Sequence, residues 1–341
     1  MGGAVIFYND VSGIAIDNCK FINNSAAKNG GALYVNGAFV NSTIGNSEFI
    51  SNVATNNGGA IYIFNSSTEN LFENLTFSDN KAENNDGGAI NFHWELFKTR
   101  FNNVTFFKNT ANKYGGAINT DQNVNDKNAY VDVDFISNKA SNGGAMGGYG
   151  HSNFNSFDGC SFANNSATNN GGAVYYMGNM QSNVFENTEF IRNTAAKNGG
   201  AVYIYRSSGK NQFVNLTFSD NRARDADGGA INFHGETSKT SFSNVTFFKN
   251  SAGGRGGAIN NDNNVNNENK YVNVDFINNT ASKGGALNGY GQSKGNSFDG
   301  CSFANNSAAS DGGAIYYKGN IQSNVFENCS FIDNAAKTGN G

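Results

Sequence analysis

The chain has 341 residues, a formal net charge of −4, 43 Gly, 29 Phe and no Pro. That balance leaves no basic footprint for nucleic acid or an anionic membrane, and no run approaches the ~18 apolar residues of a membrane-spanning helix. Asn and Gly make up nearly a third of the residues and alone would suggest disorder, but an aromatic content of 13 % demands a buried core.

The first predicted element follows a Gly-Gly-Ala tripeptide that begins at residues 2, 30, 58, 87, 115, 143, 171, 199, 228, 256, 284 and 312. The interval is always 28 or 29 residues, a register that low-complexity sequence does not hold and that marks a stacked repeat array. An apolar residue comes next in each copy, as at Val5, Leu33, Ile61 and Ile90, and the position two further on is often apolar again, as at Val35, Ile63 and Phe92. This period-two alternation predicts a strand with those residues inward. The residue between them, mostly Tyr or Asn, is expected to face outward, which places Tyr34, Tyr62, Tyr175, Tyr203 and Tyr316 on the surface.

The second predicted element precedes and includes the Phe of a Phe-x-x-Asn-x-Ala motif, present in twelve copies that include Phe21, Phe49, Phe77, Phe162 and Phe303. A small or aliphatic residue lies two positions before the Phe and usually an aromatic five before it. That odd gap predicts a bend or bulge, at an intervening residue that is often Asn, as at Asn46, Asn74 and Asn103, which tolerates left-handed backbone angles. The motif Asn, as at Asn24, Asn52, Asn80, Asn165 and Asn306, is expected to form a corner column with its side-chain amides hydrogen-bonded from turn to turn.

Short strands, tight Asn/Gly corners and a unit of 28–29 residues predict an all-β fold, a right-handed single-stranded parallel β-helix of about twelve coils. The motif Phe then stack into one internal column. The paired Gly mark a corner where a Cβ would clash or φ must be positive, and the lack of Pro follows because interior coils need their N–H groups. A longer period lies on top: 155–167 reappear unchanged at 296–308, and 86–93 at 227–234, both displaced by 141 residues or five coils. The whole of 1–341 reads as a single β-helix repeat domain, expected to be excised from a longer array, with end-to-end stacking as a further expectation.

Repeated GGA-[ILV] with FxxN resembles the passenger domains of chlamydial polymorphic outer-membrane proteins, and is also similar to adhesin-like surface proteins of methanogenic archaea. The resemblance covers essentially the whole chain. It implies display outside the cell, at the cell surface, and a role in adhesion or interaction with a protein or glycan partner.

Candidate sites are few. Cys19, Cys160, Cys301 and Cys329 share one repeat position; Cys301 and Cys329 fall in adjacent coils at a spacing compatible with a disulfide, or all four are small buried hydrophobes. His93 and His234 are block copies, but the neighbouring Trp94 becomes Gly235, and His151 becomes Gln292, so these read as surface or corner histidines. Asp121, Asp126, Asp132 and Asp134 form the most acidic stretch, either a solvated loop or a weak Ca²⁺ site, with an acid/base pair for sugars as a remoter reading. Tyr34, Tyr62, Tyr175, Tyr203 and Tyr316 either present stacked rings to a ligand or form a ladder that stabilises the sheet. Eleven Asn-x-Ser/Thr sequons offer glycosylation sites. The expected function is non-enzymatic and cofactor-free: a surface stalk and interaction module. A carbohydrate-active enzyme, since pectate-lyase-like proteins use the same scaffold, and a pure spacer are the alternatives.

Overall fold

The computed structural model describes residues 2–121, 124–262 and 265–340. Its regular structure is entirely β among the described residues, with short strands in about twelve turns distributed over four parallel sheets. The expected parallel solenoid is therefore what forms. The chain divides into two compact units, Met1–Ala167 with Ala173–Met177, and Thr168–Gly172 with Gly178–Gly341.

One turn of the first unit shows how the repeat is spent. Ile61–Ile63, after the Gly pair, lies in the first sheet; Ser66–Thr68 in the second; Leu71–Ser78, ending with the motif Phe, in the third; Lys81–Ala82 in the fourth. The 28- or 29-residue offset sets equal repeat positions side by side, so Leu33 pairs with Ile61, Ile61 with Ile90 and Ile90 with Ile118. The second unit keeps the same register through Val202, Ile231, Ile259 and Leu287.

The core is built of columns. In the first unit Phe21, Phe49, Phe77, Phe106, Phe135 and Phe162 stack with centroid separations of 4.7, 4.7, 5.0, 5.1 and 4.6 Å. In the second, Phe190, Phe218, Phe247, Phe276, Phe303 and Phe331 do the same. Full burial contributes about 1.5–3 kcal/mol for each such ring. A second column, Phe72, Phe101, Tyr130 and Phe157, runs beside the first at 4.8, 4.9 and 4.6 Å. It comes from the aromatics five positions before the motif Phe. Between the columns the strand bends at a residue in the left-handed region, such as Asn74 with φ 52° or Asn103 with φ 52°, which places both aromatics inward despite their odd spacing.

The motif Asn closes the corner between third and fourth sheets. Asn24, Asn52, Asn80, Asn109 and Asn138 each pass an Nδ2 hydrogen bond to the Oδ1 of the next, the last reaching Asn165, at 2.9–3.1 Å. The same Oδ1 takes a backbone N–H from the preceding Asn, and the second amide hydrogen reaches a Phe carbonyl one turn back, as from Asn52 to Phe21 at 2.8 Å. Every polar group of the buried amide is thereby satisfied. Further corner bonds, not evident from the sequence, lie between second and third sheets: the Ser42 backbone N–H donates to Asn70 Oδ1, and Thr99, Asn128 and Asn155 are linked in the same way. Their mixed residue types hid the pattern.

Each member of the Gly pair has its own reason. Gly30 has φ 65°, and a Cβ there would lie 2.4 Å from the Leu33 carbonyl oxygen and 3.1 Å from the Tyr34 Cβ. A Cβ on Gly31 would lie 2.0 Å from the Gly59 carbonyl oxygen. The first glycine is needed for its backbone angle and the second for the close approach of successive turns.

All four cysteines are free. Cys160 and Cys301 are buried beneath the third sheet, and burial pushes both thiols up to about 12. They pack as the small hydrophobes the sequence offered as one reading.

Candidate functional site

The glycine turn corrects the expectation that the middle residue of the first-sheet strand faces water. Tyr34 is 6 % exposed and Tyr62 3 %, and Tyr175 and Tyr203 are both at 5 %; Tyr316 is half-buried. The turn at the first glycine folds back over this position, as the Gly30 contact with the Tyr34 Cβ shows. Tyr34 and Tyr62 stack at 5.4 Å, the sheet-stabilising ladder rather than an open ring face. Asn91 and Asn119 continue the same row fully buried, linked by a 2.9 Å amide hydrogen bond.

The surface chemistry lies two residues further along, just past the first-sheet strand. There the backbone still follows the ladder: Phe64, His93, Asp121 and Tyr149 donate N–H to Val35, Ile63, Phe92 and Thr120 at 2.9–3.1 Å. Their side chains consequently line up one turn apart. The His93 ring stacks on Phe64 at 5.1 Å, and its Nδ1 lies 2.8 Å from Asp121 Oδ2. Asn91 donates to the same Oδ2 at 2.9 Å, and Asn119 donates to Asp121 Oδ1. Tyr149 packs against Tyr114, ring to ring at 4.4 Å. Beside this row Trp94 is 49 % exposed and Phe64 44 %.

The second unit repeats the constellation 141 residues on. The Tyr205 ring stacks on His234 at 4.9 Å, and His234 Nδ1 is 2.8 Å from Asp262 Oδ2. Asn232 and Asn260 donate to Asp262, and Tyr290 closes the row, its hydroxyl accepting from Lys318 at 3.1 Å.

Hydrogen bonding to Asp121 raises the His93 imidazole above its ordinary value, against the opposite pull of burial. Asp86 lies close by, and burial, with the Asp121 charge second, pushes its carboxyl from 3.8 up to about 7. Between those values the unfolded carboxyl has released its proton while the folded one still holds it, so stability falls as pH rises from about 4 to 7 and is flat above. We expect Asp86→Asn to exceed the wild type in stability by about 2 kcal/mol at pH 8, a figure discounted for the partial exposure of Asp86, with the gap closing below about pH 4. Denaturant titrations of both proteins across that range measure it, and a gap independent of pH contradicts the assignment.

The four acidic residues proposed as one cluster do not converge. Asp121 stands beside the first sheet, Asp126 ends the second-sheet strand Val124–Asp126, and Asp132 and Asp134 lie on the third-sheet strand Ala129–Ile136. Among the described residues no group of three or more His, Cys, Asp or Glu is placed to hold a metal ion. The turn separates by sheet what the sequence runs together.

In the sequence His93 and Asp121 stand 28 positions apart, and the chain neighbour of the histidine is Trp94. Yet His93 and Asp121 both stand six positions after the first glycine of their tripeptides, Gly87 and Gly115. In a stacked array that equality means side-by-side placement, and His234 with Asp262 repeats it. The partner of the histidine was legible in repeat position rather than in local sequence.

Fold and rows together define a parallel β-solenoid whose turns present an aromatic–His–Asp–Tyr row twice. Nine segments, 18–36, 46–63, 74–92, 103–121, 159–176, 187–205, 215–233, 244–262 and 300–318, match the Chlamydia polymorphic membrane protein repeat. These segments, together just under half of the chain, are thus similar to repeats of the polymorphic membrane protein type. Most of the matched segments run from the left-handed corner through the motif Phe and Asn to the first-sheet strand, and three end on a row residue: Asp121, Tyr205 and Asp262. Among curated proteins none matches the chain.

Proposed function

We propose that the chain is a surface-displayed, adhesin-like solenoid: the repeats form a stalk, and the side-chain rows past the first sheet form its interaction surface for a protein or glycan of another cell. The observation that carries this reading is the duplicated row, in which exposed aromatics, Phe64 and Trp94 in one copy and Tyr205 in the other, stand beside a hydrogen-bonded His–Asp pair. Aromatic rings next to convergent polar groups are the usual chemistry of recognition surfaces. The repeat match supports display at the cell surface.

The reading is non-enzymatic and needs no cofactor. A panel of glycans and cell-surface proteins tests it: at least one ligand binds, binding persists in a calcium chelator, and the triple change Phe64→Ser, Trp94→Ser, Tyr205→Ser abolishes it. A blank panel favours a spacer, and turnover of a polyuronide by the wild type favours the enzyme.

A further inference from the structure

The block copy supplies an internal comparison. In the second unit Arg255 donates from its backbone N–H to Asp227 Oδ1 at 2.6 Å, and from Nε and Nη2 to Asp227 Oδ2 at 3.2 and 2.7 Å. Its Nη2 also reaches Asp262 Oδ1 at 3.3 Å, and the guanidinium lies over the Tyr290 ring at 4.8 Å. Two carboxylates and an aromatic face thus hold one guanidinium.

The first unit keeps the receptor and lacks the cation. Asp86, Asp121 and Tyr149 stand at the positions of Asp227, Asp262 and Tyr290, but Tyr114 replaces the arginine. Asp86 Oδ1 still takes the backbone N–H of residue 114, at 3.0 Å, while among the described residues no donor reaches its Oδ2. Lys113 is near enough to pull the Asp86 carboxyl down slightly but forms no ion pair with it. Asn119 adds an independent sign. It is fully buried, and its Oδ1 has no hydrogen-bond partner, whereas the equivalent Asn260 Oδ1 receives Asn288 Nδ2 at 2.6 Å. A Cβ on Gly147 would lie 2.9 Å from that Oδ1 and 3.0 Å from the Tyr114 Cβ, which sets the orphaned acceptor at the edge of the tyrosine. Acceptors are in surplus, and among the described residues the titratable donor paired to them is His93, already engaged by Asp121.

We infer that the first-unit cluster of Asp86, Asn119 and Asp121, walled by Tyr114 and Tyr149, is a receptor for a guanidinium group, supplied by an arginine side chain of a partner protein. The planar fork of a guanidinium matches a carboxylate edge and stacks on an aromatic face, as Arg255 does in the copy. The Tyr114 ring lies against Tyr149 at 4.4 Å with the two planes 56° apart and touches Tyr175 at 5.6 Å, so the aromatic wall beside the carboxylates is a packed cluster of tyrosines. The partner's identity as protein rests on the interaction-surface reading; the site itself is read directly by a small probe, so the two fail separately.

The test is a titration of the full chain at pH 8, where the Asp86 carboxyl is ionised, with N-acetyl-arginine amide, followed by the imidazole NMR signals of His93, with His234 as internal control. A saturable shift of His93 alone is expected, with none from the neutral isostere N-acetyl-citrulline amide. Asp86→Asn weakens the response about tenfold. Tyr114→Arg abolishes it by supplying the cation in place, and the fold accommodates that residue because the copy carries it. Equal shifts at both histidines, an equal response to the citrulline probe, an undiminished response in Tyr114→Arg, or no saturable shift by about 100 mM probe each overturn the assignment.

Discussion

Phe106→Ala is expected to cost about 3–5 kcal/mol and to unravel protection well beyond its own turn. The ring is fully buried and stacks on Phe77 at 5.0 Å and on Phe135 at 5.1 Å. Its loss opens a cavity bordered by rings fixed in register on both sides, through Phe77↔Phe106 and Phe106↔Phe135, so neither neighbour can slide in to fill it. Because a solenoid turn is stabilised mainly by the turns beside it, the defect weakens two interfaces at once. Amide exchange read turn by turn is the measurement: protection falls at Leu71–Ser78 and Ala129–Ile136 as well as at Arg100–Phe107. A loss confined to the mutated strand would show that turns are more self-sufficient than the column implies.

Asn109→Ala is expected to cost about 3–6 kcal/mol, more than a single hydrogen bond would suggest. The side chain donates to the Phe77 carbonyl at 2.9 Å and to Asn138 Oδ1 at 3.1 Å, and its Oδ1 accepts from both the backbone N–H and Nδ2 of Asn80 at 3.0 and 2.9 Å. Removing it strands several buried donors and acceptors, each costing about 1–3 kcal/mol when left unmet. Asn109→Asp separates the terms, since it keeps the acceptor and loses the donor. Asn103→Ala, at an exposed left-handed corner where the amide bonds Asn74 at 2.9 Å, loses about 1 kcal/mol, mainly in backbone strain. Equal losses at residues 103 and 109 would mean that burial of the ladder contributes nothing.

Much of this was open to reading. Phe106 and Asn109 recur at a fixed spacing in every turn, and repetition converts spacing into contact. The bend at Asn74 was legible for the same reason, as an odd gap between two apolar positions filled by a residue that tolerates positive φ. Tyr34 and Tyr62 were misread because strand alternation says which way a side chain points and not what lies over it. Here a glycine turn covers the outer side. The acidic stretch shows the complementary point: residues adjacent in sequence diverge around a turn, while His93 and Asp121, 28 positions apart, meet at 2.8 Å. The orphaned Asn119 carbonyl and the unmatched Asp86 oxygen depend on what occupies residues 114 and 147 in neighbouring turns, and they need coordinates to be seen.

The amide ladder at the third corner has one polarity: each Asn donates toward the next turn and accepts from the one before. A cut made at the same repeat position in two turns therefore leaves matching donors on one side and acceptors on the other. Loss or gain of whole turns rejoins the ladder without a mismatch, and a residue more or less within a turn is absorbed between the columns: Phe106 to Phe135 spans 29 residues and Phe135 to Phe162 spans 27, yet both pairs stack. The turn is therefore a unit by which such a chain can lengthen while keeping every column, and the 141-residue duplication is a change of five of them.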